Sequence, residues 1–362
     1  MLRNTFIISA ALMIVVSIAQ GQEKPAITID TYRAFGSEHV GIYKHPACIE
    51  ELADGTLYIS YYGGAGEYDQ NTAVYGSRLL EEPNTWSKPE IIADTPFRGD
   101  GNPVIFQAPD GVVWLFYNTQ YGPTWSESRV KGKVSYDGAK TWSDSFMVAF
   151  EQGSMVRGKV LVLNNGDYLL PMYDEKGSDR EEMTNETASY ILRYSQETKT
   201  WEPTNKIYSK IGNLQPQVVQ ISDDHLLTYM RRAGGYGPDN AGFMVQSESK
   251  DGGYTWSKGV DTDIPNPNSA VDLVRTPEGK IVLVYNDSGW NRTPLTVAIS
   301  EDNGKTYKYK RNIGGGDNTY AYPYMIQTRD GKFHCIYTTN LRTTIMHAVF
   351  DEKSIISWGA SE

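Results

Sequence analysis

The segment SKDGGYTW at residues 249–256 decides the fold, because altered copies of it recur along the chain. The copies are SEDNGKTY at 300–307, SYDGAKTW at 135–142, the degenerate SQETKTW at 195–201 and the remnant NTW at 84–86. The aromatic residue that closes each copy recurs at steps of 51 to 59 residues. Self-similarity at a fixed long period is the signature of a repeat architecture.

A second series of turns, each followed by a strand-like run, has the same period. Segments such as ADGTLYISYY (53–62) and PEGKIVLVYN (277–286) open with a tight turn and continue with β-branched and aromatic residues. Six positions mark these turns: Gly55, Gly111, Gly166, Asp224, Gly279 and Gly331. No window of helical periodicity competes with this pattern. Six such units predict an all-β fold, a six-bladed β-propeller with about four strands in each blade.

The SxDxGxTW turns themselves are expected to be structural. An aspartate in such a turn accepts hydrogen bonds from backbone N–H groups of its own loop, and the glycine permits a positive φ. The tryptophan packs a large apolar face between strands. We therefore expect no chemistry at Asp137, Asp251 or Asp302.

The N-terminal residues 1–21 are predicted to be a signal peptide. Arg3 gives a short positive region, an apolar run follows, and Ala19-Gln20-Gly21 supplies a small-residue cleavage site. The remaining residues 22–362 are expected to form one propeller domain, exported to the periplasm or secreted, and monomeric. A net charge of −10 without a basic block argues against binding to nucleic acid.

The chain has two cysteines, Cys48 and Cys335, which is too few for a disulfide scaffold. Both lie on predicted strands near opposite ends of the sequence. They are either two buried thiols or, if ring closure makes them neighbours, a disulfide of the kind that exported proteins permit.

The repeated turns resemble the Asp-box, or BNR, repeats of the sialidase superfamily, and the resemblance covers most of the chain after residue 21. It implies a six-bladed propeller. It implies little about activity, because binding proteins, hydrolases and lyases share these turns.

Sialidases hold the substrate carboxylate with three arginines, and the resemblance places basic residues at the three positions. In KHPA (44–47), Lys44 stands where the first arginine would be, which keeps the charge but loses the bidentate geometry. Arg231 or Arg232 in LLTYMRRAGG matches the second, and Arg292 in RTPLTVAIS matches the third. These cations are expected to converge on an anionic sugar.

The family also uses a tyrosine nucleophile and an aspartate for the acid–base step. TYAYPYMIQTRDG presents Tyr322 at the tyrosine position. In GGAGEYDQNT, Asp69 matches the aspartate and Glu67 is the near alternative. The resemblance therefore implies that Tyr322 and Asp69 are catalytic.

One departure from the family pattern concerns the glutamate that activates the tyrosine. NLQPQVVQI has Gln215 at that position, and a neutral amide cannot take the proton of a phenol. A second departure is His45 beside Lys44, a titratable side chain that is a further catalytic candidate. Gln215 is expected to contact substrate in place of the base.

The chain keeps the cations that would bind a carboxylate and keeps the tyrosine, but it lacks the activating glutamate. This combination predicts β-elimination on a terminal uronate of an acidic oligosaccharide. Electrostatic stabilisation of the carbanion, with Tyr322 or His45 as base, would give an unsaturated uronyl end by lyase or dehydratase chemistry. The alternatives are an exo-α-sialidase whose tyrosine is activated in another way, and a glycan-binding propeller without catalysis. No HExxH, P-loop or cysteine-rich spacing is present, so no cofactor or metal is predicted.

Overall fold

The structure is a computed structural model that describes residues 29–180 and 182–359. Nearly all of the described secondary structure is β, arranged in six antiparallel sheets. The predicted six-bladed β-propeller is therefore confirmed. The signal peptide assigned to residues 1–21 lies outside the described residues, so the domain boundaries remain a prediction.

Blades one to three follow one another along the chain. Blade one contains β2 (Tyr43–Glu51), β3 (Leu57–Gly64), β4 (Ala73–Glu81), β5 (Thr85–Trp86) and β6 (Glu90–Ala93). Blade two contains β7 (Asp100–Gln107), β8 (Val113–Gln120), β9 (Ser128–Ser135) and β10 (Phe146–Ala149). Blade three contains β11 (Ser154–Val156), β12 (Leu161–Val162), β13 (Tyr168–Asp174), β14 (Ala188–Tyr194) and β15 (Trp201–Pro203).

Blades four to six continue the same order. Blade four contains β16 (Asn213–Gln220), β17 (Leu226–Arg232), β18 (Phe243–Ser249) and β19 (Val260–Pro265). Blade five contains β20 (Asp272–Arg275), β21 (Ile281–Asn286), β22 (Leu295–Ser300) and β23 (Tyr309–Gly314). Blade six contains β24 (Ala321–Gln327), β25 (Phe333–Thr339), β26 (Thr344–Phe350) and the N-terminal strand β1 (Asp30–Phe35).

The ring is closed by β1, which pairs antiparallel with β26 and so joins the start of the described chain to its last blade. After β26 comes the α-helix α1 (Glu352–Gly359); two 3₁₀ turns lie at Trp125–Glu127 and Pro238–Asn240. Within residues 29–180 and 182–359, no helix has the length and apolar character needed to cross a membrane.

The predicted turns lie where the sequence placed them. Each hairpin between the first long strands of a blade turns at one of the six marked positions, and Gly279, for example, adopts a φ of +90° between β20 and β21. Side chains on both faces of the sheets pack between blades. Cys48 and Cys335 are both buried in this packing as free thiols, so they do not pair.

The Asp-box turns connect the outer strands of three blades and have the predicted structural role. Between β18 and β19, the Asp251 carboxylate accepts hydrogen bonds from the backbone N–H groups of Tyr254 (3.1 Å) and Thr255 (2.9 Å). It also accepts from the hydroxyls of Thr255 (2.5 Å) and Ser249 (2.7 Å). In the copy at 135–142, Ala139 occupies the glycine position and adopts the same left-handed region, with φ of +63°.

A break near the start of each innermost strand determines where the candidate site lies. In four blades the innermost strand shifts register near its start, as between Leu214 and Gln217 or between Ala321 and Tyr324. In blade three the break separates β11 from β12, and in blade five it precedes β20. One buried side chain occupies each break, and we call the six together the channel ring: His45, Asn102, Arg157, Gln215, Asn268 and Tyr322. Steps of 53 to 58 residues separate them, which is the blade period.

The Asp-box geometry predicts a stability defect in an Asp251→Ala variant. Removing a carboxylate that accepts four hydrogen bonds should lower the free energy of unfolding by about 1–2 kcal/mol, measured by denaturant titration. Burial opposes ionisation of Asp251, but hydrogen bonds from Thr255 and Ser249 outweigh it and lower the pKa. Because the folded-state pKa is lowered, the defect should be full at neutral pH and shrink as the pH falls through that pKa.

The matched control is Asp317→Ala, which removes an exposed carboxylate that has no side-chain hydrogen bond among the described residues. It should leave unfolding unchanged. Equal losses in the two variants would contradict the structural role of the Asp-box carboxylate.

Candidate functional site

Two cavities meet at the end of the channel where the inner strands begin. The inner cavity has a volume of about 40 Å³ and is bordered by His45, Gln215 and Tyr322 of the channel ring. The wider one, which we call the vestibule, has a volume of about 490 Å³ and includes Trp290 and Leu341. The inner cavity is narrow and opens into the vestibule, with Tyr236, Arg292 and Arg342 bordering both.

The inner cavity has two walls of different chemistry. Three guanidinium groups, from Arg231, Arg292 and Arg342, form the wall on blades four to six. The opposite wall comes from blades one to three and combines the charged side chains of Glu67, Glu175 and Arg180 with a larger aromatic and apolar surface: Tyr62, Trp125, Met155, Tyr173 and Met183. A ligand with an anionic end and a less polar body matches this division.

Arg231 is the central cation and is buried at the end of β17. Its Nε donates to Asn268 Oδ1 (2.6 Å), and its Nη2 donates to the hydroxyl of Tyr236 (2.9 Å). Its Nη1 donates to the Tyr322 hydroxyl oxygen (2.7 Å) and to Gln215 Oε1 (3.3 Å). Hydrogen bonds on every side fix the guanidinium plane, which is therefore preorganised.

Tyr322 accepts hydrogen bonds at its hydroxyl oxygen from two donors, Arg231 and the Gln215 amide (Nε2 to oxygen 3.2 Å). Both partners donate, so they favour the phenolate over the neutral phenol. Burial opposes ionisation, but the nearby positive charges, Arg231 first and then Arg292, outweigh it and lower the pKa of Tyr322. Gln215 thus stabilises the ionised tyrosine as a donor, where a glutamate would act as an acceptor.

The backbone at the site is strained. Tyr322 has a φ of +54° and Gln215 a φ of +56°, and Asn102 and Asn268 of the channel ring share this left-handed region. Bulky residues in it cost about 1–3 kcal/mol each, and such strain clusters at functional sites. The register shifts described above hold these residues in place and aim them at the channel.

Arg292 and Arg342 complete the cationic wall. Arg292 lies between β21 and β22, donates from Nη2 to the Asn268 carbonyl (3.0 Å), and its guanidinium carbon lies 5.7 Å from the centre of the Tyr322 ring. Arg342 lies in the hairpin between β25 and β26 and forms a salt bridge with Glu67. Glu67 also accepts from the Tyr43 hydroxyl (2.6 Å) and from Trp125 Nε1 (3.2 Å).

His45 packs edge-on against Tyr322, with ring centres 4.1 Å apart. Its Nδ1 lies 2.7 Å from Thr338 Oγ1, whose own hydrogen goes to the Ala321 carbonyl (3.1 Å). Nδ1 must therefore carry the proton, which leaves a lone pair on Nε2. That buried Nε2 has no partner among the described residues. Burial, followed by the charge of Arg342, holds the pKa of His45 well below its usual value, so the ring is neutral.

Three predicted site residues do not reach the inner cavity. The Lys44 ammonium donates to the carbonyls of His39 (3.2 Å) and Gly41, on the other side of β2 from His45. Arg232 points away from Arg231 toward the Gly235 carbonyl (3.4 Å). Successive residues of a strand face opposite sides, so each pair can send only one member into the channel.

Asp69 is the third of these residues. It lies in an exposed loop, where its carboxylate accepts from the backbone N–H of Asn71 (3.0 Å). Glu67, the alternative in the same segment, borders the inner cavity instead. The acidic group of blade one is therefore at Glu67, and the sequence could not distinguish the two because both lie in one irregular loop.

Asn102, Arg157 and Arg342 were not among the predicted site residues. A repeated residue–proline pair could have identified the first, since it recurs at the blade period: His45-Pro46, Asn102-Pro103, Gln215-Pro216 and Tyr322-Pro323. The blade period also places Arg157 in this series, although it is followed by glycine instead of proline. No sequence signal marks Arg342, because it comes from a hairpin tip outside the repeated strands.

The propeller and its arginine-lined cavity define a sialidase-like architecture. A family model described as a BNR repeat-like domain matches residues 55–335. The chain belongs to this family. The sequence has no significant match among curated proteins.

Solved structures with the same fold include several sialidases. The Hadza microbial sialidase Hz136 superposes with a TM-score of 0.76 at 16% identity, covering 90% of this chain and 69% of that one. The NanB sialidase from Streptococcus pneumoniae gives 0.73 at 11% identity, covering 89% and 70%. The intramolecular trans-sialidase from Ruminococcus gnavus gives 0.71 at 14% identity, covering 89% and 97%. At these identities the likeness establishes the fold.

The electrostatics of the site predict the ionisation of Tyr322. Tyrosinate ultraviolet absorbance, taken as the difference between the protein and a Tyr322→Phe variant, should titrate at a pKa below about 10, the usual value for a phenol. Replacing Arg292 by Gln removes a positive charge and should move this titration to higher pH. A difference titration at or above the usual value in the parent protein would refute the electrostatic description.

Proposed function

We propose that the protein is a carbohydrate-active enzyme that binds the terminal acidic sugar of an oligosaccharide in the inner cavity. The observation that carries the proposal is the convergence of Arg231 and Arg292 on Tyr322, where no described carboxylate lies within salt-bridge distance of either guanidinium and Glu175, on the same cavity, acts on Arg231 only at longer range. Buried cations favour a compensating anion. A sugar carboxylate supplies this anion, and an arginine fork matches its geometry.

The reaction proposed first is β-elimination on a uronate. The arginines hold the C5 carboxylate, and the negative charge that develops on loss of the C5 proton is stabilised in place. The Tyr322 phenolate takes that proton, the C4–C5 double bond forms and the C4–O bond breaks. The proton then passes from Tyr322 to the departing oxygen, which leaves as water when the 4-hydroxyl of the uronate is free and as a sugar hydroxyl when another sugar is attached at O4. One residue can serve both steps because the two atoms lie on adjacent carbons.

His45 supports this chemistry as a second basic atom. His45 borders the inner cavity together with Tyr322, and its unpartnered Nε2 can accept a hydrogen bond or a proton from the sugar. The guanidinium charges that hold the pKa of His45 low are offset once a carboxylate binds, so substrate raises the basicity of His45. Lys44, Arg232 and Asp69 have no part in this mechanism, because they do not face the cavity.

The vestibule suits the rest of the glycan. It shares Tyr236, Arg292 and Arg342 with the inner cavity, so a chain that leaves the inner cavity passes directly into it. Trp290 is half exposed there, at 51%, and offers a flat apolar face for a pyranose ring. The proposed substrate is thus an oligosaccharide with its acidic residue innermost.

Exo-sialidase-like hydrolysis is the second candidate, and the apolar wall favours it. Met155, Met183 and Trp125 lie across the cavity from the arginines and would pack against the methyl of an N-acyl group, which a sialic acid has and a uronate lacks. A phenolate stabilised by Arg231 and Gln215 could attack as a nucleophile without a neighbouring carboxylate base. Several structural neighbours are described as sialidases. A glycan-binding propeller without catalysis is the third.

The test compares products from uronate-terminated and sialylated oligosaccharides. Elimination should give the ultraviolet absorbance of an unsaturated uronyl group and either a loss of one water or bond cleavage in the mass spectrum. The Tyr322→Phe variant should lose about 10²-fold or more of this activity, as expected for removal of a catalytic acid–base group. Release of free sialic acid with no unsaturated product would favour the second candidate over the first.

The matched control is Tyr320→Phe, two residues before Tyr322 in the sequence. Among the described contacts, the Tyr320 hydroxyl bonds only the Gly315 carbonyl (2.9 Å). This variant should keep near-parent activity. If the protein binds acidic glycans but forms no product, and if Tyr322→Phe does not change this binding, the third candidate, a glycan-binding propeller without catalysis, would be supported.

The vestibule generates a separate prediction. Trp290→Ala should raise KM for an oligosaccharide by about tenfold, the loss expected when one aromatic stacking contact disappears. KM for the acidic sugar on a small synthetic aglycone should change little, because that substrate does not extend into the vestibule. Equal effects on both substrates would show that Trp290 acts through the fold and not through binding.

A further inference from the structure

Arg157 is the channel-ring residue without an explained role. It lies at the break between β11 and β12 in blade three and is only 2% exposed. Its guanidinium crosses the channel: Nη1 donates to the Val271 carbonyl of blade five (3.1 Å), and Nη2 donates to the Pro323 carbonyl of blade six. A single side chain thus ties three blades together beneath the inner cavity.

The charge of Arg157 is unusual for a side chain so deeply buried. It forms no salt bridge with any described carboxylate, and its Nε has no hydrogen-bond partner among the described residues. A buried cation without an ionised partner is destabilising. The other five ring positions hold His, Asn, Gln, Asn and Tyr, which are neutral or can be neutral. Packing alone would therefore favour a neutral residue at this position.

The contacts of Arg157 lead to Tyr322. The carbonyl that it holds belongs to the residue directly after Tyr322, whose φ is +54°. Its guanidinium carbon lies 5.7 Å from the centre of the Tyr322 ring and 5.6 Å from that of Tyr324. Both distances are within the range of a cation–π contact.

We propose that Arg157 is a positioning residue that locks the strained backbone of Tyr322 and supplies a fixed positive charge behind the Tyr322–His45 pair. The proposal rests on the proposed function for its catalytic meaning. The locking comes from the two carbonyl hydrogen bonds. The charge acts from the floor of the site, whereas Arg231, Arg292 and Arg342 act from the wall that a substrate carboxylate contacts.

Arg157 and the wall arginines therefore have different roles. When a sugar carboxylate binds, it offsets the charge of the wall arginines, while Arg157 does not face the inner cavity and remains uncompensated. It therefore continues to stabilise negative charge on Tyr322 during the reaction. Its removal should affect turnover more than binding.

The experiment compares Arg157→Gln with Arg157→Lys. First, histidine titration by NMR needs no substrate: the charged groups that bear on His45 are Arg342, Arg292, Arg157 and Arg231. Loss of the Arg157 charge should raise the pKa of His45 in the Gln variant, and the Lys variant should stay close to the parent protein. Next, kcat on the substrate identified above should fall at least about tenfold for Gln, with KM changed less than about threefold.

Arg193→Gln is the matched control. It removes another buried arginine of blade three, one that pairs with Asp167 (2.6 Å) away from the inner cavity. It should lower the melting temperature. It should leave the pKa of His45 unchanged, and it should not lower kcat selectively over KM. If Arg157→Gln does not fold, the Lys variant still tests the locking, because it keeps the charge but cannot bridge both carbonyls and should lower kcat alone.

Two results would overturn the proposal: a folded Arg157→Gln variant with parental kcat, or one with an unchanged His45 titration. If no acidic glycan is a substrate, the proposed function fails, but the histidine titration still decides whether Arg157 supplies charge to this pair.

Discussion

The site depends on one electrostatic constraint: several guanidinium groups lie close together in a buried space. Arg231 and Arg292 face Tyr322 directly, and Arg157 lies behind it. Like charges at such distances repel, and burial increases the repulsion. Carbonyl and amide oxygens accept hydrogen bonds from these guanidinium groups, and the ionisation of Tyr322 is favoured. Both effects offset the repulsion. The same charges, together with burial, lower the pKa of His45, and they are the basis of the proposed binding of an anion.

The fold could be predicted from the sequence because each blade repeats the same local chemistry. A tight turn needs a residue that tolerates positive φ, and an Asp-box needs Asp, Ser and Thr at fixed offsets, as at Asp251. Such short-range requirements leave a periodic trace in the sequence. The closing strand β1 left no trace of this kind, since its pairing with β26 is a contact between distant parts of the chain.

The site was predictable only in part. Tyr322, Gln215, Arg231 and Arg292 could be located because they belong to the strands and turns that repeat. Lys44 and Arg232 do not reach the inner cavity, because adjacent residues of a strand face opposite sides, and residue type alone does not show which of the two faces the channel. Arg342 reaches Glu67 across the junction of the last and first blades, so its role exists only once the ring is closed.

The closure through β1 has a consequence for the order in which the propeller can fold. The strand at Asp30–Phe35 is the first described strand in the chain, yet its partner Thr344–Phe350 is the last described strand. Until then both carry unsatisfied edges, and unpaired strand edges invite association with other chains. The ring can therefore close, and this edge can be satisfied, only after the last blade has been made.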